Sequence, residues 1–324
     1  MNLTSIPAVL EPQFGFIVHY ADQRFLPTRD GLYAKAFDVD FDELQNNALD
    51  VATPVVIVHK SFDDNWYYTI APTSEGWIEK EKIALCGREK FEGYLKNTAW
   101  AVALRPKVDI FSSENLMGYY DHVQMGTRLP LKDKSGKDAL AVTIPTRRVD
   151  GQVSFTTAFL DPKEVQKGVL PYTARNVLAQ AFLMLNQPYG WGGMYGEQDC
   201  SRFLQMVFAT VGIDLPRDSK NQAKVGKLLA EFSEKTNEKP RLKFLSQAPS
   251  LSILTLKGHI MLYLGMVENR PYAIHAVWAF REPGEGGDVV RVINRVVFSD
   301  LFLGDGSQKG SLLERLTGIR EFKK

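Results

Sequence analysis

Two scarce residue types carry the chemistry this sequence offers. Cysteine occurs twice, at Cys86 and Cys200, and histidine five times, at His19, His59, His122, His259 and His275. Cys200 lies in the stretch QPYGWGGMYGEQDCSRFLQ, residues 187–205. Gly190, Gly192, Gly193 and Gly196 precede it, so the backbone can take positive φ and pass close to a ligand. Phe203, Leu204, Val207, Phe208 and Val211 follow at helical spacing, and Gly212 stands where a helix would end. The spacing predicts Cys200 in the first turn of a helix with Asp199 as its N-cap. Backbone N–H groups at such a terminus favour negative charge, so a thiol there is expected to ionise more easily. The plainer reading is a small buried residue that opens a core helix.

A cysteine nucleophile needs a histidine within hydrogen-bond reach and a group to orient that histidine. Only His259 and His275 follow Cys200 in the chain. His259 comes after Gly258 and opens the apolar run HIMLYLG; His275 lies in the next, PYAIHAVW. Pairing of these as antiparallel strands would set the two rings side by side. Taken singly, His259 reads as an exposed strand end and His275 as a satisfied core histidine.

The elements that must position these residues fall into two patterns. Up to about residue 160 the chain is strand and turn. Phe14–His19, TPVVIVHKS and NWYYTIA are strands, and Glu75–Gly76 turns into WIEKEKIAL, a small-barrel signature. Residues Phe37–Leu49 read as a short acidic helix. AWAVALR, VDIFSS, HVQMGTRLPL, LAVTIPTRR and QVSFTTAFL repeat the layout as a second small barrel. After a linker bounded by Pro162 and Pro171 the pattern changes. Ala174, Val177, Leu178, Ala181, Phe182 and Leu185 form an amphipathic helix capped by Thr173. A third helix is expected over Ser219–Phe232, and SEKTNEKPR, residues 233–241, reads as a solvated loop. The strands HIMLYLGM, PYAIHAVWAF and DVVRVINRVVF come last. Helices before strands, without βαβ alternation, imply an α+β domain with an antiparallel sheet.

The 324 residues suffice for two or three domains, and 44% hydrophobic with 24% charged residues is ordinary globular composition. A net charge of +1 without a polybasic run argues against nucleic acid as the main partner. Two cysteines make no disulfide framework, and a Cys86–Cys200 bridge would silence the nucleophile. No Cys/His cluster has zinc spacing, so no metal and no cofactor is expected. No apolar run has the length of a membrane span, and the N-terminus does not read as a signal peptide. The compartment is then the cytoplasm or, for a chain whose leader was removed, the cell envelope or periplasm.

PYGWGG, DCSRF, GHIMLYLG and IHAVW together resemble the NlpC-type papain-like cysteine peptidases of bacterial cell-wall turnover. ADQRFLPT, DELQ, PVVIVHKSFDDNWYYT and GWIEKEKIAL, within residues 20–84, resemble a bacterial SH3-like domain, and residues 98–160 resemble a second. LPYT and LPRDS are similar to the branch that carries two SH3-like domains. The resemblance implies an α+β multidomain chain. Residues 1–93 would hold the lead-in and first SH3-like barrel, 94–162 the second, and 163–324 the papain-like peptidase domain. It implies Cys200 as nucleophile, His259 as base and His275 as its orienting partner. The implied reaction is hydrolysis of γ-D-glutamyl–L-diamino acid bonds in murein peptides, with preference for a free N-terminal L-alanine.

In that setting the Cys200 N–H and Tyr189 are candidates for oxyanion stabilisation. Asp199 is the candidate carboxylate for the substrate amine, Ser201 a further hydrogen-bond partner and Trp191 a substrate contact. Glu43, Trp66 and Tyr68 of the first barrel are candidates for a wall that closes one end of a cleft. Each has an ordinary structural alternative: a helix cap for Asp199, packing for Tyr189, barrel core for Trp66 and a solvated position for Glu43. A non-catalytic wall-binding scaffold, or an amidase or acyltransferase with the same three residues, are the alternative functions. Residues 300–324 match nothing assignable.

Overall fold

A computed structural model describes residues 1–35, 38–132 and 138–322. The chain divides into two compact units: residues 1–169 with 190–196, and residues 170–189 with 197–324.

In the first unit, β1 (Gln13–Ile17), β2 (Ala21–Arg24), β3 (Gln45–Leu49), β4 (Pro54–Lys60), β5 (Trp66–Ile70), β6 (Glu75–Glu79) and β7 (Ile83–Cys86) form one antiparallel sheet. Its order is β3-β2-β6-β5-β4-β1-β7. The alternation in PVVIVHK, with Val55 and Ile57 inward, fits the pleat and fills a core with Ile17, Tyr67 and Ile78. A short helix, α1 (Arg88–Leu95), follows. Then come β8 (Trp100–Ala103), β9 (Lys107–Phe111), β10 (Tyr119–Gln124), β11 (Arg128–Pro130), β12 (Leu140–Arg147), β13 (Val153–Leu160) and β14 (Val165–Lys167). They pair as β10-β9-β13-β12 and β11-β8-β14. Phe16 of β1 and Tyr94 of α1 share one core with Val108, Ile110, Val142 and Leu160. The two strand groups therefore close on common side chains. The chain also stays in this unit beyond residue 162, because β14 pairs with β8 at Val165↔Ala103.

The expected helix over Phe37–Leu49 does not form, apart from Phe37 itself, which lies outside the described residues. Asp42 pairs with Arg24 at 2.9 Å and accepts the N–H groups of Leu32 and Leu44, which turns the chain into β3. A side chain that caps backbone donors locally competes with helix formation.

The second unit holds α2 (Ala174–Leu183), α3 (Cys200–Ala209), α4 (Ser219–Gln222), β15 (Lys227–Glu231), α5 (Glu238–Leu245), β16 (Ile253–Leu256), β17 (His259–Val267), β18 (Arg270–Gly284), β19 (Gly287–Asp300) and β20 (Leu316–Glu321). Its antiparallel sheet has the order β15-β20-β16-β17-β18-β19. Two expectations fail here. The helix expected over Ser219–Phe232 stops after one turn, because Gly226 takes φ +75° and the following residues pair with β20 as β15. The loop expected after it contains α5. Its Pro240 falls in the first turn, where a missing N–H costs no helical bond. Its Arg241 is buried and donates to the Leu316 and Ser233 carbonyls. The first miss has a long-range cause: β20, more than eighty residues downstream, supplies the pairing edge.

Candidate active site

Asp199 caps α3 as the spacing predicts, accepting the Arg202 N–H at 2.9 Å. Phe203, Leu204, Val207 and Phe208 are fully buried and anchor the helix against β17 and β18. Cys200 is its first residue and only 8% exposed. Backbone N–H groups of Ile260 and Ser201 point at its sulfur. Ile260 directly follows His259, so the start of β17 lies against the thiol.

His259 Nε2 lies 2.8 Å from His275 Nδ1, with the rings 5.0 Å apart in an edge arrangement. His275 is fully buried, and its Nε2 lies 3.2 Å from Ser299 Oγ on β19. β17, β18 and β19 thus line up His259, His275 and Ser299, while Cys200 stands at the start of α3. A neutral His259 that accepts a proton at Nδ1 must carry its own hydrogen on Nε2. His275 Nδ1 then accepts, and its Nε2–H donates to Ser299.

The electrostatics differ from the sequence expectation at one point. Burial, with Asp199 beside it, pushes the Cys200 thiol up to about 12, against the Ile260 and Ser201 N–H groups and Arg217. The helix terminus does not win, and the resting group is a thiol. Burial also holds His275 down to about 4. It holds His259 well below 6.5, helped by repulsion from His275, Arg315 and Lys309. The Cys200 thiol and both imidazoles are therefore uncharged at neutral pH.

The polar neighbours are partly committed. Arg217 Nη2 meets Asp199 Oδ2 at 2.7 Å and Nη1 meets Oδ1 at 3.1 Å. Ser201 Oγ donates to Asp199 Oδ1 at 2.9 Å and accepts from Arg217 Nη1 at 3.1 Å. Burial raises the Asp199 carboxyl, but Arg217, with the Arg202 and Ser201 donors, holds it below the usual carboxylate range. Asp199 and Ser201, the sequence candidates for the substrate amine, thus share a buried network with Arg217 inside the unit. Arg217, in LPRDS, is a functional neighbour that the sequence does not single out. Its signal was a lone arginine two residues after a helix-connecting turn, which only distance resolves. Ser299 carried no signal at all. Tyr189 stays with the site: its backbone N–H donates to Asn294, and its phenol is raised by burial with Cys200 and Asp199 beside it.

Trp191, Glu43 and Tyr68 belong to the first unit. Trp191 is 37% exposed and edge-on to Phe41 at 5.3 Å. Glu43 is exposed in the turn before β3, with its N–H on Leu32. Tyr68 is half-buried against Trp77, while Trp66 and Trp77 are both buried in the sheet. The loop of residues 190–196 is set by glycine. Gly192 and Gly193 take φ +59° and +86°, and a Cβ at either would sit 2.8 Å from Gln45 or Ala48. Among the described residues, no three His, Cys, Asp or Glu side chains are grouped to hold a metal ion. No helix among them is long and apolar enough to cross a membrane.

A thiol at a helix start, with a histidine pair on antiparallel strands of the same unit, is an arrangement suited to a cysteine nucleophile with an imidazole base. Residues 186–276 match the NlpC/P60 family, and residues 32–79 match the SH3 domain of SH3b1 type. The chain carries an NlpC/P60 domain behind an SH3-like domain; residues 94–162 lie outside both matches.

A γ-D-glutamyl-L-lysine dipeptidyl-peptidase of Bacillus subtilis (strain 168) is 40% identical over 67 residues. That match spans 20% of this chain and about a fifth, 21%, of the relative. A solved NlpC/P60 endopeptidase from Photobacterium damselae subsp. piscicida superposes with a TM-score of 0.81. It is 24% identical, over 98% of this chain and 75% of that one. An NlpC/P60 family protein from Bacillus cereus ATCC 10987 gives a TM-score of 0.67 at 18% identity, over 95% and 99%. At these identities the two structures speak for the fold.

Proposed function

We propose that this chain is a cysteine peptidase that hydrolyses the γ-D-glutamyl–L-diamino acid bond of murein peptides, with preference for a free N-terminal L-alanine. The observation that carries it is the His259–His275 hydrogen bond beside a thiol that rests on the Ile260 N–H. In this reading Cys200 Sγ attacks the γ-carbonyl carbon as its proton passes to His259 Nδ1. A thiol held near 12 and an imidazole held neutral favour proton transfer during attack over a standing thiolate. The Cys200 N–H at the start of α3, with the Tyr189 hydroxyl, would stabilise the oxyanion. His259 then returns the proton to the leaving amine, and water releases the acyl group by the reverse route. His275, fixed by Ser299, keeps Nδ1 of His259 aimed at the thiol.

The second unit is read as papain-like, with α3 against the sheet, and β8–β14 as a second SH3-like barrel. Both readings rest on the strand pattern and on the family matches to the flanking segments. The test is incubation with L-Ala-γ-D-Glu-diaminopimelate. Release of L-Ala-D-Glu is expected, and Cys200→Ala must abolish it; an unchanged rate in that variant removes the assigned nucleophile. N-acetylation of the alanine is expected to slow cleavage, and equal rates would remove the amine preference.

A further inference from the structure

The segment after β19 builds a cavity in the second unit. It has a volume of about 160 Å³ and is lined by Val277, Trp278 and Arg281 of β18 and by Lys309, Gly310 and Arg315 of the segment. The segment is folded on itself by Leu312 N–H to Leu303 O and Leu313 N–H to Leu301 O. It lies tight on β18, since a Cβ at Gly304 would meet the Arg281 and Gly310 carbonyl oxygens at 3.3 Å.

Three cations face this space with no anion beside them. The nearby carboxylates serve elsewhere. Asp288 accepts the N–H groups of Gln308 and Lys309, Glu282 pairs with Arg291, and Glu314 accepts the Ser311 N–H. Among the described residues, none of Arg281, Lys309 and Arg315 has a salt bridge. Burial lowers both Lys309 and Arg315, and for Lys309 the two arginines add repulsion. A half-buried guanidinium without a counter-charge is unfavourable, so an arrangement of this kind suits an anionic ligand.

The cavity adjoins the base, not the nucleophile. Continuing the β17–β18 register from Leu262↔Ile274 sets His259 opposite Val277, where the lining begins. Lys309 and Arg315 act on His259, whereas the charges that act on Cys200 are Asp199 and Arg217. The leaving amine must take its proton from His259, so whatever is attached to that amine lies on the same side.

We infer that Arg281, Lys309 and Arg315 form an anion subsite that receives a carboxylate of the leaving diamino acid, and that this subsite favours diaminopimelate over lysine. This rests on the function proposed above. A leaving diaminopimelate offers two carboxylates, one on the main chain and one on the side chain; a terminal lysine offers only the first.

The experiment compares kcat/KM for four peptides: L-Ala-γ-D-Glu-diaminopimelate, the same peptide amidated at the main-chain or at the side-chain carboxylate, and the lysine peptide. Amidation of at least one carboxylate, and for the side-chain contact the change to lysine, is expected to lower kcat/KM about tenfold, the equivalent of about 1.4 kcal/mol. Sensitivity at the side-chain carboxylate supports the preference for diaminopimelate; sensitivity at the main-chain carboxylate alone, which lysine also carries, overturns that preference. Lys309→Met/Arg315→Met is expected to bring the ratios close to one. Because Arg315 is half-buried, Arg281→Gln/Lys309→Gln, at exposed positions, is the second variant, with the same direction expected.

Wild-type ratios near one, or ratios unchanged in a folded variant, overturn the subsite. Cleavage of none of the peptides would overturn the proposed function instead. In that case calorimetry with the diaminopimelate peptide on the Cys200→Ala protein decides the subsite alone. Binding weakened about tenfold by the exposed double substitution supports it, and binding that is absent or unaffected overturns it.

Discussion

In the first unit, His19 Nδ1 lies 3.0 Å from Asp121 Oδ2 and His122 Nδ1 lies 3.3 Å from Oδ1, with the Tyr20 and His122 N–H groups on the same carboxylate. In the second, His259 meets His275, and His275 meets a serine hydroxyl. Burial would raise Asp121, but the His122 and His19 rings and the two N–H groups outweigh it and hold the carboxyl well below its ordinary value. The first arrangement surrounds a fixed anion with donors and ties β10 to the turn after β1. The second contains no carboxylate and keeps two rings neutral, which leaves one nitrogen able to accept a proton. The same residue type becomes a clamp or a base according to whether its partner is an anion or another neutral ring.

The sharpest way to break this comparison is to remove one histidine from each arrangement. His259→Ala is expected to lower kcat with the murein peptide by about 10³-fold or more, as loss of a general base does. His19→Ala is expected to keep kcat within about threefold and to lower the unfolding midpoint. Equal losses of kcat in both would erase the distinction. A nearly equal energetic effect is expected at Arg217. Arg217→Met strands the buried Asp199 carboxylate and should destabilise the protein by about 3–5 kcal/mol in denaturant titration.

Acid should then separate the units. His275 is held near 4 against 6.5 unfolded, so the unfolded chain takes up its proton first. The second unit is expected to lose stability as pH falls from about 6.5 to about 4, on the order of 3 kcal/mol, and little more below that. Asp121 lies below its ordinary 3.8, so its contribution is complete above that pH and lost only beneath it. Amide exchange followed against pH should show β18 opening before β10; the reverse order would refute the assignment. The smallest effect is expected from Ser299→Ala. Loss of the His275 Nε2 partner should lower kcat about threefold to tenfold. KM should stay unchanged, and Ser299→Thr should restore the rate.

Much of the site was legible because its signals are local. DCSRF, with an apolar stripe behind it, announces a capped helix whose first residue is Cys200, and both the cap and the stripe are present. HIMLYLG and PYAIHAVW announce two strands, and the register needed to stack His259 on His275 follows from a short turn between them. What escaped is what depends on partners distant in sequence. The Arg217 partner of Asp199 was invisible because it meets the carboxylate only after α3 and its following turn fold back. Lys227–Glu231 looked helical because its neighbours favour helix, until β20 offers an edge that turns alternation into pairing. Asp42 looked like part of an acidic helix, until Arg24 took it.

By itself, then, the sequence determined the capped helix that carries Cys200 and the two strands that carry His259 and His275, because helix caps, apolar stripes and β-branched runs act over a few residues. Tertiary structure alone decided the protonation of the pair, the fate of Asp199, and the unpaired cations beside His259. Burial and charge contact act through space, and no spacing along the chain encodes how deeply a side chain will be enclosed or which charge will reach it.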